Sequence, residues 1–73
     1  MKNFKTPLDA ITFLSKDCNY ISTSELINIL GVKDINNLID EGFIERIVVD
    51  PIDLCYFGTK RFERYKKLEI IIN

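Results

Sequence analysis

The side chains of this chain best equipped for chemistry are Lys33, Asn36 and Asn37 in the middle and Lys60, Arg61, Arg64 and Lys67 near the end. An Asn amide matches the N6 and N7 edge of adenine in a major groove, so the adjacent Asn36-Asn37 pair suits base reading. The late cations, together with Arg46, suit phosphate oxygens, contacts that fix position without specifying sequence. Bond-breaking chemistry has little to draw on. There is no histidine, no glycine-rich phosphate loop and no clustered carboxylate pair, so no catalytic role is expected. Cys18 and Cys55 have no CxxC neighbour and read as buried reduced thiols rather than as a zinc site or a disulfide framework. Tyr20, Tyr56 and Tyr65 read as core or interface aromatics. No cofactor or metal is expected.

The elements that must position these groups centre on Ser22 to Ile44, STSELINILGVKDINNLIDEGFI. Ser22 and Glu25 have capping-box spacing, with Ile21 and Leu26 placed for the accompanying hydrophobic staple, which starts a helix at Thr23. Leu26, Ile29 and Leu30 then fall on one face, and Gly31 can take the left-handed conformation that ends the helix. The turn is read as Gly31 to Lys33. Asp34 is the expected N-cap of a second helix carrying Ile35, Leu38 and Ile39 inward and Asn36, Asn37, Asp40 and Glu41 outward, closed by Gly42.

Two short helices joined by a glycine turn, the second ending in Gly-aromatic-Ile and running into a strand, resemble the winged helix-turn-helix superfamily, including its excisionase and MerR-like branch. The residues that carry the likeness are Ser22, Glu25, Leu26, Leu30, Gly31, Val32, Leu38, Gly42, Phe43 and Ile44. The resemblance implies a DNA-binding regulator or recombination accessory protein. In it the second helix of the pair (22–42) enters the major groove and the following hairpin, the wing, touches backbone or minor groove. One departure stands out: the segment from Gly31 to Gly42 is about a turn shorter than in most members.

Around that pair, Thr6 caps a helix from Pro7 to about Lys16, with Leu8, Ala10, Ile11, Phe13 and Leu14 as its apolar stripe. Tyr20-Ile21 is expected to be a brief strand pairing with the wing. Phe43–Val49 and Leu54–Phe57 read as strands around a turn at 50–53, so Val49 should oppose Leu54 and Val48 should oppose Cys55. Gly58 and Thr59 lead into a final helix with Phe62, Tyr65, Leu68 and Ile72 on one face and the cations on the other. The expected fold is mainly α with a small β-hairpin, a single winged helix-turn-helix domain over residues 1–73.

Charge separates two functional classes. Residues 31–54 set Lys33 and Arg46 against Asp34, Asp40, Glu41, Glu45, Asp50 and Asp53, a net −4, whereas residues 55–73 carry a net +3. A DNA-binding reading therefore draws its attraction from the last helix. The other class is a winged-helix protein-interaction module, with Asp34, Asp40, Glu41, Asp50 and Asp53 as an acidic face for a basic partner. An apolar fraction of 47% and a charged fraction of 29% fit a globular domain and argue against disorder. No apolar run reaches ~18 residues and the amino end lacks a signal-peptide core, so no membrane role and a cytoplasmic setting are expected. A domain of this length buries only about 60% of its unfolded surface, and Leu68, Ile70, Ile71 and Ile72 would lie exposed in a monomer, which suggests a homodimer, continued core packing being the alternative.

Overall fold

Three hydroxyls mark where helices begin. Thr6, Ser22 and Thr59 accept the backbone amides of Asp9, Glu25 and Phe62, each at 3.2 Å. The computed structural model describes residues 4–72, with side chains to residue 68. Its elements are α1 (Pro7–Leu14), β1 (Tyr20–Ser22), α2 (Thr23–Leu30), α3 (Val32–Asp40), β2 (Glu45–Val49), β3 (Ile52–Tyr56) and α4 (Lys60–Ile72). Over the described residues the fold is thus mixed α/β, four helices with one three-stranded antiparallel sheet of order β1-β3-β2. The expected homodimer contact through Ile70, Ile71 and Ile72 involves side chains outside the described residues.

The joint between α2 and α3 is tighter than the sequence suggested. Gly31 alone makes it, donating its amide to the Ile27 carbonyl (2.8 Å) and accepting from the Ile35 amide (3.2 Å). Its φ of 93° and ψ of 155° lie in a region open to glycine and closed to ordinary L-residues. Helix α3 therefore begins at Val32, and Asp34 is not its cap but a first-turn residue, where its charge favours the positive helix end. At the other end Gly42, with φ of 83°, closes α3. The Gly42 amide bonds the Ile39 carbonyl and the Phe43 amide bonds the Leu38 carbonyl, both at 3.0 Å, the Schellman pair that satisfies the last carbonyls.

The α2 face is also turned from expectation. Ile29 points outward, 43% exposed, while Thr23, Leu26, Ile27 and Leu30 face inward at i, i+3, i+4, i+7. The reason is Thr23, which is buried because its hydroxyl donates to Asp53 Oδ1 on β3 at 2.6 Å. That bond fixes the rotation of the helix about its axis.

In the hairpin, Asp50 and Pro51 make the turn and Ile52 belongs to the ladder. Val49 pairs with Ile52, Val48 with Asp53, Ile47 with Leu54 and Arg46 with Cys55, two residues away from the register expected for a turn over 50–53. A β-branched Ile52 opposite Val49 suits the pleated ladder better than a turn position, and a slip of two leaves every side chain on its original face. The inner face carries Cys55, with Ile21 beside it on β1. The outer face carries Tyr20, Ile47, Val49, Ile52, Leu54 and Tyr56. Strand β1 is present as expected, pairing Tyr20 with Tyr56, whose rings lie 5.1 Å apart.

Ala10, Ile11, Leu26, Ile35, Leu38, Phe43, Ile44, Cys55, Phe57 and Phe62 form the core; all four helices and β3 contribute to it, Ile21 of β1 packs against it, and the edge strand β2 supplies none of these residues. Cys55 is the buried thiol expected; Cys18 is exposed, because α1 ends before it and its Sγ lies near the Leu14 carbonyl at the surface. Among the described side chains of helix α4, it is the first turns that dock. Phe62 is buried and Tyr65 half-buried, but Leu68, expected on the same inward face, is 54% exposed.

Candidate functional site

Helix α3 presents its outward residues on two sides. Lys33, Asn36 and Asp40, spaced i, i+3, i+7, are exposed together. Asn37, also exposed and four residues from Lys33, lies on the opposite flank of that stripe from Asn36. With Asp34, Leu38 and Glu41 it lines a cleft against Thr6, Pro7 and Leu8 at the start of α1. The structure thus parts the two asparagines that the sequence put side by side, as a helix must with neighbours about 100° apart.

Val32 extends the Lys33–Asn36 side, one turn before Asn36 and 55% exposed, and Ile29 is exposed just across the Gly31 joint. Sequence reading missed both, placing Val32 in a turn and Ile29 in the core. The available signal was the single glycine, which leaves no room for a longer turn once Val32 is counted as helical.

Arg46 is not a free cation. Its Nε donates to Asp53 Oδ1 at 3.0 Å and its Nη2 to Asp53 Oδ2 at 2.6 Å, a bidentate fork across the hairpin. Thr23 donates to the same carboxylate, so Asp53 joins β2, β3 and α2. Arg46 and then Thr23 hold the Asp53 carboxyl down at about 2, and the bond to Asp53 pushes the Arg46 guanidinium up. Because the Thr23 proton goes to an acceptor-only carboxylate, the 3.5 Å contact between Thr23 Oγ1 and Cys55 Sγ has the thiol as donor. Sequence reading placed Arg46 against phosphate and Asp53 in the turn; the two-residue change of register is what brings them together.

The α4 cations sit as their periodicity indicated. Lys60, Arg64 and Lys67 form an exposed stripe at i, i+4, i+7, and among the described residues none has a carboxylate within ion-pair distance. Lys66 differs, bonded to Glu63 at 3.2 Å and lying over the Phe62 ring at 4.7 Å. Arg61 lies over the Phe43 ring, also at 4.7 Å, with its aliphatic stem beside Gly42. Its charge therefore rests near the negative end of α3, and it links the two elements that carry candidate residues. Thr59 fixes the start of α4 twice, accepting from the Phe62 amide and donating to the Phe43 carbonyl at 3.0 Å.

Among the described residues no group of three or more His, Cys, Asp or Glu side chains could hold a metal, and no helix is long and apolar enough to cross a membrane. Comparison with known proteins returned no match, whether to a protein-family model, a curated protein or a solved structure.

Proposed function

We propose that the chain is a winged helix-turn-helix module that binds double-stranded DNA as a small regulator or recombination accessory protein. The observation that carries this reading is the α2–Gly31–α3 pair, followed by a hairpin whose second strand pairs with β1, with the Val32, Lys33 and Asn36 side of α3 left open. Val32, Lys33 and Asn36 then enter the groove. Lys60, Arg64 and Lys67 neutralise phosphates, with Arg61 beside them. Arg46 stiffens the hairpin rather than meeting phosphate.

The test removes the unpartnered stripe and spares Arg61, whose stacking on Phe43 contributes to packing. Replacing Lys60, Arg64 and Lys67 by Gln is expected to weaken binding to specific and random duplex alike at low salt, with folding intact by circular dichroism. The slope of log affinity against log salt should become shallower by roughly 0.9 for each phosphate no longer neutralised. Full affinity with the parent slope in the triple variant would show that α4 is not the electrostatic surface.

One observation favours the protein-interaction reading instead: α3 carries Asp34 and Asp40 against the single cation Lys33, with Glu41 next in the chain, and Arg46 is neutralised by Asp53. In that case the parent chain has negligible duplex affinity even at low salt, and Asp40→Lys abolishes binding of a basic partner.

A further inference from the structure

We propose that α3 selects A·T base pairs in the major groove, with Val32 against a thymine methyl and Asn36 across the N6–N7 edge of an adenine; this rests on the duplex-DNA reading above. Donors and acceptors decide the match. Guanine offers two acceptors, O6 and N7, and is read by a cation, best by a forked arginine. The open side of α3 holds no arginine; its one cation, Lys33, brings a single ammonium on a flexible stem rather than a fork. The arginine nearest in sequence, Arg46, has its fork closed on Asp53. Asp40, the next residue along the stripe, has acceptors only: guanine O6 and N7 meet it with like polarity, and the donors open to it are the cytosine N4 and adenine N6 amines.

Beside Lys33 and Asp40, the open side holds an amide and an apolar group. Asn36 can donate to adenine N7 and accept from its N6, a bidentate match. Val32 is 55% exposed and has no polar atom to offer. The one apolar feature of major-groove edges is the thymine methyl, so covering Val32 there removes apolar surface from water on both partners. Ile29, 43% exposed across the Gly31 joint, extends the same apolar side. Four residues along a helix rise about 6 Å, close to two base-pair steps of about 3.4 Å, so Val32 and Asn36 meet neighbouring or next-neighbouring pairs.

The experiment measures binding of the full chain, by fluorescence anisotropy at one salt concentration, to duplexes of equal length. One is A·T-rich and one G·C-rich; two more are A·T-rich with uracil for thymine or 7-deazaadenine for adenine. The expected result is tighter binding of the A·T-rich duplex by about 5- to 150-fold, the range for one good bidentate contact. Uracil and 7-deazaadenine should each erode that preference, Val32→Ala should be indifferent to uracil, and Asn36→Ala should be indifferent to 7-deazaadenine. Because the analogues leave the protein unchanged, a variant that misfolds does not obscure the answer. Equal, salt-dependent binding of A·T-rich and G·C-rich duplexes overturns the base assignment and leaves the DNA reading standing. A preference for A·T that survives both analogues overturns the major-groove contacts, since minor-groove width then provides it. Failure to bind any duplex overturns both.

Discussion

Asp53 joins three elements through one carboxylate, accepting from Thr23 on α2 and from both ends of the Arg46 fork on β2. Its value of about 2 in the fold lies below the ~3.9 of an unfolded chain, so folding is favoured by its ionised form. The stability it contributes is fully present above about pH 4 and is lost as the pH falls through about 2. Denaturant midpoints followed from pH 6 to pH 2 should therefore drop on the acid side in the parent. In Asp53→Asn the midpoint should be lower at neutral pH and flatter in that window. An acid limb of equal depth in the variant would assign the pH dependence to other carboxylates. A second residue, Cys55, shows how far such a bond can reach: the Thr23 proton is committed to Asp53, which leaves the thiol to donate.

At the scale of elements, helix ends are governed by single residues, and Gly42 is the sharpest case. A Cβ there would meet only ordinary contact with the Arg61 stem, at 3.6 Å, so the obstacle to substitution is the backbone φ of 83° and not space. Gly42→Val should lower stability by more than ~1 kcal/mol, with Gly42→Asn milder because Asn tolerates the left-handed region. Chemical denaturation of the two variants checks this; equal midpoints for Val and parent would mean the chain leaves α3 by another route. These ends were legible in the sequence because each cap acts within a few residues of itself: Thr6 on Asp9, Ser22 on Glu25, Gly42 on Ile39. The Arg46–Asp53 fork was not legible, because it exists only in the register that pairs Val49 with Ile52, and a turn signal at Asp50-Pro51 is compatible with either register. The outward turn of Ile29 was hidden for a similar reason. Apolar spacing alone cannot rank Ile29 above Ile27, and the deciding bond joins Thr23 to a strand residue 30 positions away. For the candidate site, the α4 stripe could be read from periodicity, whereas the turn of Asn37 toward α1 depends on how two distant helices pack.

The structure measures 40 × 27 × 23 Å, and α4, about 20 Å long at 1.5 Å per residue, packs its first turns into it. Phe62 lies wholly in the core, and Tyr65 packs edge-on against Phe43 at 5.9 Å. The charge asymmetry follows this architecture, with the acidic block on α3 and the hairpin and the cations on the helix that leads away. Phe62→Ala should cost about 3–5 kcal/mol, a large part of the roughly 5–15 kcal/mol typical of a folded domain, and so lower the thermal midpoint sharply. Leu68→Ala, at a side chain already half in water, should stay within about 0.5 kcal/mol. Similar losses from the two would mean that α4 is held along its length.

The Gly31 joint has one more consequence, and it concerns handedness. A φ of 93° with ψ of 155° is closed to L-residues, and for a residue of D configuration it mirrors to −93° and −155°, just past the edge of extended backbone, since inverting the α-carbon inverts the map of allowed angles. A Cβ built at Gly31 meets nothing within 4 Å. At 73 residues the chain is within reach of chemical synthesis, and D-alanine at position 31 should destabilise it less than L-alanine. Two enantiomers with the same atoms would then give different melting midpoints, the D form the higher.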